Sequence, residues 1–269
     1  MAAAFPAKER YSIEDLREIM AILRAPDGCP WDREQTHESI RSNLLEETHE
    51  ALEAIDRRDM AGLREELGDV LMQVVFHAQM EEETGGFTFD DVVDEVSKKL
   101  IVRHPHVFGD AHAADTAAVL QNWDAIKRRT KGEGTTQADL LRNVPRALPA
   151  LMRAGKVQNR AKRVGFDWSE LNGAWEALES ERAELAAAIA AGEGAAVEEE
   201  LGDLLFSAVN VSRFLHVDAE QALTAATDKF IRRFSRMEQL AERAGRTLAD
   251  ASLEEMNGWW DEAKRNTAD

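Results

Sequence analysis

Cysteine occurs once in this chain, at Cys29, so no intramolecular disulfide can form and a reducing compartment is expected. Tyrosine also occurs once, prolines number six and aromatics make up 6% of 269 residues, a poverty that disfavours sheets and leaves helices. No window approaches the ~18 uncharged apolar residues of a membrane span. Met1 to Arg10 holds no sustained apolar run, so no signal peptide is expected and the cytoplasm is the default. Positive charge is short as well: 33 Lys and Arg face 51 Asp and Glu, a net charge of −18. That balance argues against nucleic-acid backbone as a partner, because no basic excess exists to neutralise it. It leaves open a nucleotide, whose phosphates a metal can bridge to carboxylates.

What the chain does have is acid in a repeated pattern. Glu47 and Glu50 lie at i, i+3, as do Glu66 and Asp69, so on helices each pair projects from one face. Asp56 to Asp59 and Gly62 read as a helix end and turn between the pairs. An antiparallel hairpin would then gather four carboxylates. Unit charges ~4 Å apart repel by roughly 4 kcal/mol at an effective dielectric near 20, so the cluster needs a cation. Carboxylate ligands without paired cysteines suit a hard ion, Mg²⁺ or alternatively Mn²⁺. The same intervals recur at Glu181, Glu184, Glu200 and Asp203: three, sixteen, three. Glu66-Leu-Gly-Asp-Val-Leu-Met is echoed by Glu200-Leu-Gly-Asp-Leu-Leu-Phe. A solvated charge run has no reason to recur at fixed spacing inside one apolar frame.

The duplication predicts two tandem all-α domains, four- or five-helix bundles over residues 1–130 and 140–269, joined by a polar, glycine-bearing linker at 131–139. Ser12 caps a helix to about Arg24, which Ala25 to Asp32 breaks with two prolines and a glycine. Trp31 beyond it reads as a lid over the bundle end or as a ligand contact. Helices are expected at Thr36–Ile55, Met60–Glu83, Asp90–Val102 and Asp115–Thr130. Leu63, Leu67, Val70, Leu71, Val74 and Val75 form the core stripe of the second. The second half reads as Ala147–Val164, Asn172–Ala191, Ala195–Phe214, Ala219–Ala244 and Ser252–Arg265, with Gly192 to Gly194 as its hairpin turn. His104 and His106 look like a metal pair, but Pro105 between them removes helical spacing.

Two further pairs repeat. Lys99 and Arg103 follow the first acid quartet at i, i+4, and Lys229 and Arg233 follow the second. Trp123 and Lys127 close the first half at i, i+4, and Trp260 and Lys264 close the second. A metal-bound polyphosphate uses all of these. Carboxylates hold the metal, Lys and Arg take phosphate oxygens, and a Trp face stacks on a base.

The residues resemble the MazG family of nucleoside triphosphate pyrophosphohydrolases in its two-domain bacterial form. The resemblance is carried by Gly28-Cys-Pro-Trp-Asp-Arg-Glu-Gln-Thr, Leu45-Glu-Glu-Thr-His-Glu, Glu65-Glu-Leu-Gly-Asp, Arg103-His-Pro-His-Val-Phe and Val164-Gly-Phe-Asp-Trp. Phe230 to Phe234 and Trp259 to Arg265 match too, so nearly the whole chain is covered. The resemblance implies an all-α, Mg²⁺-dependent homodimer that cleaves nucleoside triphosphates to monophosphate and pyrophosphate. It is associated with clearing non-standard nucleotides and, in some bacteria, with stress signalling. Carried over by position, the metal ligands are Glu47, Glu50, Glu66 and Asp69, then Glu181, Glu184, Glu200 and Asp203. Lys229, Arg233, Trp260 and Lys264 contact the nucleotide, with Lys99, Arg103, Trp123 and Lys127 as counterparts. One position departs: the leading acid of the EExxE motif is Glu46 in the first copy and Ser180 in the second. The C-terminal copy is the one credited with hydrolysis in two-domain relatives, and serine is too weak a base to stand in for a glutamate there.

Glu46 is the candidate general base of the first copy, and Glu47, Glu50, Glu181 and Glu184 complete the catalytic set. Two rivals stand. Glu46-x-x-His49 fits the spacing of a di-iron carboxylate bundle, but Ala183 occupies the position of His49 in the second copy. A metal–nucleotide sensor with little hydrolysis fits the second half, because of Ser180.

Overall fold

The computed structural model describes residues 5–109 and 136–266. The chain divides into two compact units, Met1–Gly132 and Glu133–Asp269. Among the described residues every regular element is a helix, which agrees with the all-α expectation. The expected helix at 115–130 lies outside the described residues.

Unit 1 begins with α1 (Ile13–Arg24), whose Ser12 cap forms a reciprocal box with Asp15. The expected break at Ala25 to Asp32 is shorter than read. Pro30 sits at the first turn of a small helix, α2 (Pro30–Glu34), where its missing N–H is no loss. Trp31 on it is 58% exposed. α3 (Arg41–Asp56) starts later than Thr36, because Thr36 to Ile40 forms a turn held by Ser39. α4 (Met60–Thr84) ends on Gly85 at φ 77°, and α5 (Phe89–Arg103) opens with a second box between Thr88 and Asp91. α6 (Pro105–Phe108) follows.

Gly62 is not the hairpin turn. It lies in the first turn of α4, where an added Cβ would stand 2.8 Å from the Asp59 carboxylate that caps the helix. The reversal is made by Arg58, at φ 56°, with the Asp59 N–H returning 2.9 Å to the Ala54 carbonyl. Met20, Ile40, Val75, Phe76 and Met80 form the core of the unit, with Ile13, Leu16, Met72 and Phe89 packed against it. Arg24 reaches over the Phe76 ring at 5.3 Å and grips Glu83 with two bonds of 2.8 Å, which holds the Glu83 carboxyl below its ordinary range. His37 and His77 stack 5.0 Å apart with their Nδ1 atoms hydrogen-bonded at 2.7 Å, tying the turn before α3 to α4.

Unit 2 opens with α7 (Gln137–Arg142), capped by Thr136 and Asp139, so the last residues of the expected linker are helical. α8 (Ala150–Lys162), α9 (Leu171–Ala191), α10 (Gly194–Phe214), α11 (Ala219–Arg243) and α12 (Leu253–Asn266) follow within two residues of expectation at most ends. Gly192, at φ 75°, makes the α9–α10 reversal and Gly194 already begins α10.

Burial departs from the expected stripe. On α4 only Val75 of the six expected core residues is fully buried, while Leu67 and Leu71 are 54% and 40% exposed. Leu45, Leu52 and Ile55 on α3, and Val93, Val96, Leu100 and Ile101 on α5, are exposed too. In unit 2 the same holds for Trp175, Ile189, Leu201, Leu205, Phe230 and Phe234. The apolar residues do line one face of each helix, but each unit covers only part of it. Phe76→Ala should lower stability by about 3 to 5 kcal/mol in urea unfolding followed by circular dichroism. A loss below about 1 kcal/mol would mean that this cluster is not the core of unit 1.

Candidate metal centres

In each unit an antiparallel hairpin faces two acidic turns toward each other. In unit 1, α3 supplies Glu47 and α4 supplies Glu66 and Asp69, with ligand oxygens all within 4.8 Å of one another. Glu50, one turn from Glu47, stands outside that group but close enough that its charge presses on both Glu47 and Glu66. In unit 2, Glu181, Glu184 and Glu200 form the corresponding group, and Asp203 is the charged neighbour. Each quartet thus contributes three residues to a tight set and a fourth beside it.

The electrostatics follow from the geometry. Desolvation first, then Asp69, Glu50 and Glu46, raise the Glu47 carboxyl above its ordinary 4.5. Desolvation and then Glu50 and Asp69 raise Glu66. Glu181 and Glu200 rise for the same reasons, through Glu184 and Asp203. Oxygen donors alone, gathered against their own repulsion, fit a hard divalent cation and not a thiophilic one. His104 and His106 are not of this kind. Their rings lie 5.7 Å apart, and the His104 Nδ1–H is given to the Leu100 carbonyl at 2.7 Å.

The neighbours differ between the copies. Glu46 is exposed on α3 beside Glu47 and outside the close group. At the matching place in unit 2 the Ser180 hydroxyl donates to Glu184 Oε1 at 2.8 Å, so serine restrains a cluster residue where glutamate would add charge. Lys99 is exposed and Arg103 half-buried on α5, which packs on α4. Lys229 is exposed and Arg233 half-buried on α11. Trp260 of α12 leans on Phe230 of α11, ring centroids 5.0 Å apart, and Lys264 pairs with Asp261 at 2.9 Å. Trp123 and Lys127 lie outside the described residues.

Carboxyls raised in the fold favour the protonated form, so their contribution to stability is full below 4.5 and is lost as pH rises through the raised values. The metal-free protein is therefore penalised at these four groups near neutral pH, and a bound cation removes the penalty. The rise in melting temperature on adding Mg²⁺ should be larger at pH 8 than at pH 5, and a chain carrying Glu47→Gln and Glu181→Gln should lose most of it. An equal rise at both pH values, by calorimetry, would reject cation binding at these carboxylates.

The model of the MazG nucleotide pyrophosphohydrolase domain matches this sequence twice, at residues 35–108 and 172–237, the two stretches that contain the acidic hairpins. Over 251 residues the chain is 46% identical to the nucleoside triphosphate pyrophosphohydrolase/pyrophosphatase MazG of Thermotoga maritima, spanning 93% of this chain and 95% of that one. It is 45% identical over 260 residues to the nucleoside triphosphate pyrophosphohydrolase of Escherichia coli K12, spanning 96% and 98%. A nucleoside triphosphate pyrophosphohydrolase of Mycobacterium tuberculosis is 41% identical over 156 residues, 57% of this chain and 46% of that one. With the family's domain found in both halves and relatives aligned almost end to end, the chain belongs to the MazG family.

Proposed function

We propose that this protein hydrolyses nucleoside triphosphates to nucleoside monophosphate and pyrophosphate by cleaving the α–β phosphoanhydride, and that it does so with Mg²⁺ at the acidic hairpins. The doubled carboxylate cluster carries the reading, supported by the activity in the names of its near full-length relatives. A divalent cation there supplies neutralisation of phosphate charge and a water of lowered pKa. Glu47, Glu50, Glu66 and Asp69 hold it in the first copy; Glu181, Glu184, Glu200 and Asp203 do so in the second. Glu46, next to the cluster and open to solvent, takes the proton of the attacking water. Lys99 and Arg103, and Lys229 and Arg233, neutralise charge gathering on the departing pyrophosphate. Trp260 and Lys264 contact the nucleotide in the second copy, where Lys264 must leave Asp261 to reach a phosphate.

Ser180 favours a second reading for unit 2. Its hydroxyl is engaged with Glu184 and is no base, so that unit binds metal–nucleotide and hydrolyses slowly. We further propose a homodimer whose subunits cover each other's exposed apolar helix faces, acting on the nucleotide pool of the cytoplasm. No nucleic-acid or membrane partner is part of the proposal: the net charge is −18, and no helix of the described residues is long and apolar enough to cross a membrane.

Incubation with nucleoside triphosphates and Mg²⁺ should yield monophosphate and pyrophosphate; diphosphate and phosphate would overturn the α–β assignment. Glu50→Gln should lower turnover about 100-fold or more, with Glu184→Gln the smaller effect. Unchanged turnover in both would sink the quartet. Light scattering should give twice the chain mass of 30.0 kDa, and the single mass would reject the dimer.

A further inference from the structure

His37 and His77 stand apart from the metal centre of unit 1. Eight residues, about 12 Å along α4, separate His77 from Asp69, and His37 comes from the turn that leads into α3. Their Nδ1 atoms lie 2.7 Å apart, and the second nitrogen of His37, Nε2, lies 2.8 Å from Glu81 Oε1. A neutral imidazole has one N–H and one bare nitrogen, whereas an imidazolium has two N–H groups. A contact between two Nδ1 atoms therefore holds one hydrogen. It forms when the pair carries no charge or one; two imidazolium rings, N–H facing N–H, cannot form it.

The surroundings oppose the second charge. His77 Nε2 is buried without a partner, as is Gln73 Oε1 one turn earlier, so an N–H placed on that nitrogen would be a buried donor unmatched in the fold. Desolvation and then the His37 charge hold the His77 ring below its ordinary 6.5. Glu81 on α4 and Glu38 on the turn are the carboxylates at His37, which favours a first proton there. The other elements packed on α4 bring no unspent charge to the pair. Arg24 of α1 is committed to Glu83 and to the Asp32 and Gln35 carbonyls, and Arg41 at the start of α3 is exposed. On α5, Asp90 is bound by Arg17 and Asp91 is held in its capping box.

The contact holds the entry to α3. Ile40, three residues after His37, is 1% exposed in the core with Val75, Phe76 and Met80 of α4, and its carbonyl accepts the Leu44 N–H at 3.2 Å. Unit 2 lacks the pair. His37 lies ten residues before Glu47 and His77 eight after Asp69; at the same intervals from Glu181 and Asp203 stand Leu171, which opens α9, and Val211, buried on α10. We propose that the His37–His77 contact is an acid-release catch peculiar to unit 1: uptake of a further proton opens it and lets the start of α3 come away from α4. The opened pair binds one proton more than the closed pair. The catch therefore stabilises fully above 6.5, and its opening constant rises by up to about tenfold per pH unit below that, until the lowered His77 value is passed. The raised carboxyls of the metal centre shift stability in the opposite direction, so they cannot imitate this loss.

Hydrogen exchange read by mass spectrometry on the full chain in chelator, corrected for the intrinsic rate at each pH, tests the catch. Protection of the peptide from Ser39 to Leu44 should fall about tenfold between pH 6.5 and 5.5, while that of Leu171 to Trp175 in the same sample stays within about twofold. In His77→Asn the side-chain amide stands near the place of Nδ1 and can give or take the hydrogen, so the catch stays closed and the pH response disappears. His37→Asn should abolish the response as well. A native chain whose Ser39 to Leu44 protection is unchanged over that range overturns the proposal, as does an equal fall at Leu171 to Trp175 or a native-sized fall in either variant. Should a variant not fold, the native chain still decides, by whether its fall occurs and is confined to the start of α3.

Discussion

Like charges forced together govern this molecule. Each helix hairpin places carboxylates from two antiparallel helices within 4.8 Å. Burial and mutual repulsion raise Glu47, Glu66, Glu181 and Glu200 together, an arrangement that an added cation would relieve. The rest of each unit holds the hairpins in that opposition. In unit 1, α1 packs on α4 and Arg24 fastens Glu83; in unit 2, α8 packs on α10 through Gln158 and Phe206.

The helices were readable because their signals are local. Ser12, Thr88 and Asp218 cap where a capping residue precedes an acidic first turn, and Gly85 and Gly192 close helices in the left-handed region. The acid quartets were readable because an interval of three on a helix fixes a face. Errors arose where local chemistry has two outcomes. Gly62 looked like a turn, but Asp59 caps the helix three residues earlier and Arg58 takes the left-handed position. Pro30 looked like a breaker and served as a helix start.

Other features had no sequence signal. Nothing in the spacing of Gln158 and Phe206 announces a contact between α8 and α10 across 48 positions, or an amide oxygen left over by it. Ser180 was read by what it lacks, a carboxylate, while its bond to Glu184 depends on rotamers that no pattern encodes. The apolar stripe on α4 shows which face avoids water but not what covers it. Leu67 and Leu71 satisfy the periodicity of a core helix and remain exposed within the chain.

The two hairpin reversals make the same bend by different means. Arg58 sits at φ 56° and Gly192 at φ 75°, and in both the following N–H returns to a carbonyl five residues back. An arginine held there carries roughly 1 to 2 kcal/mol of steric strain in the folded state. The glycine carries almost none, but the unfolded chain surrenders more backbone freedom to place it. The first reversal is therefore opposed chiefly by enthalpy and the second by entropy. Warming weighs more heavily on the second, so the two copies of one architecture respond differently to temperature at their hinges.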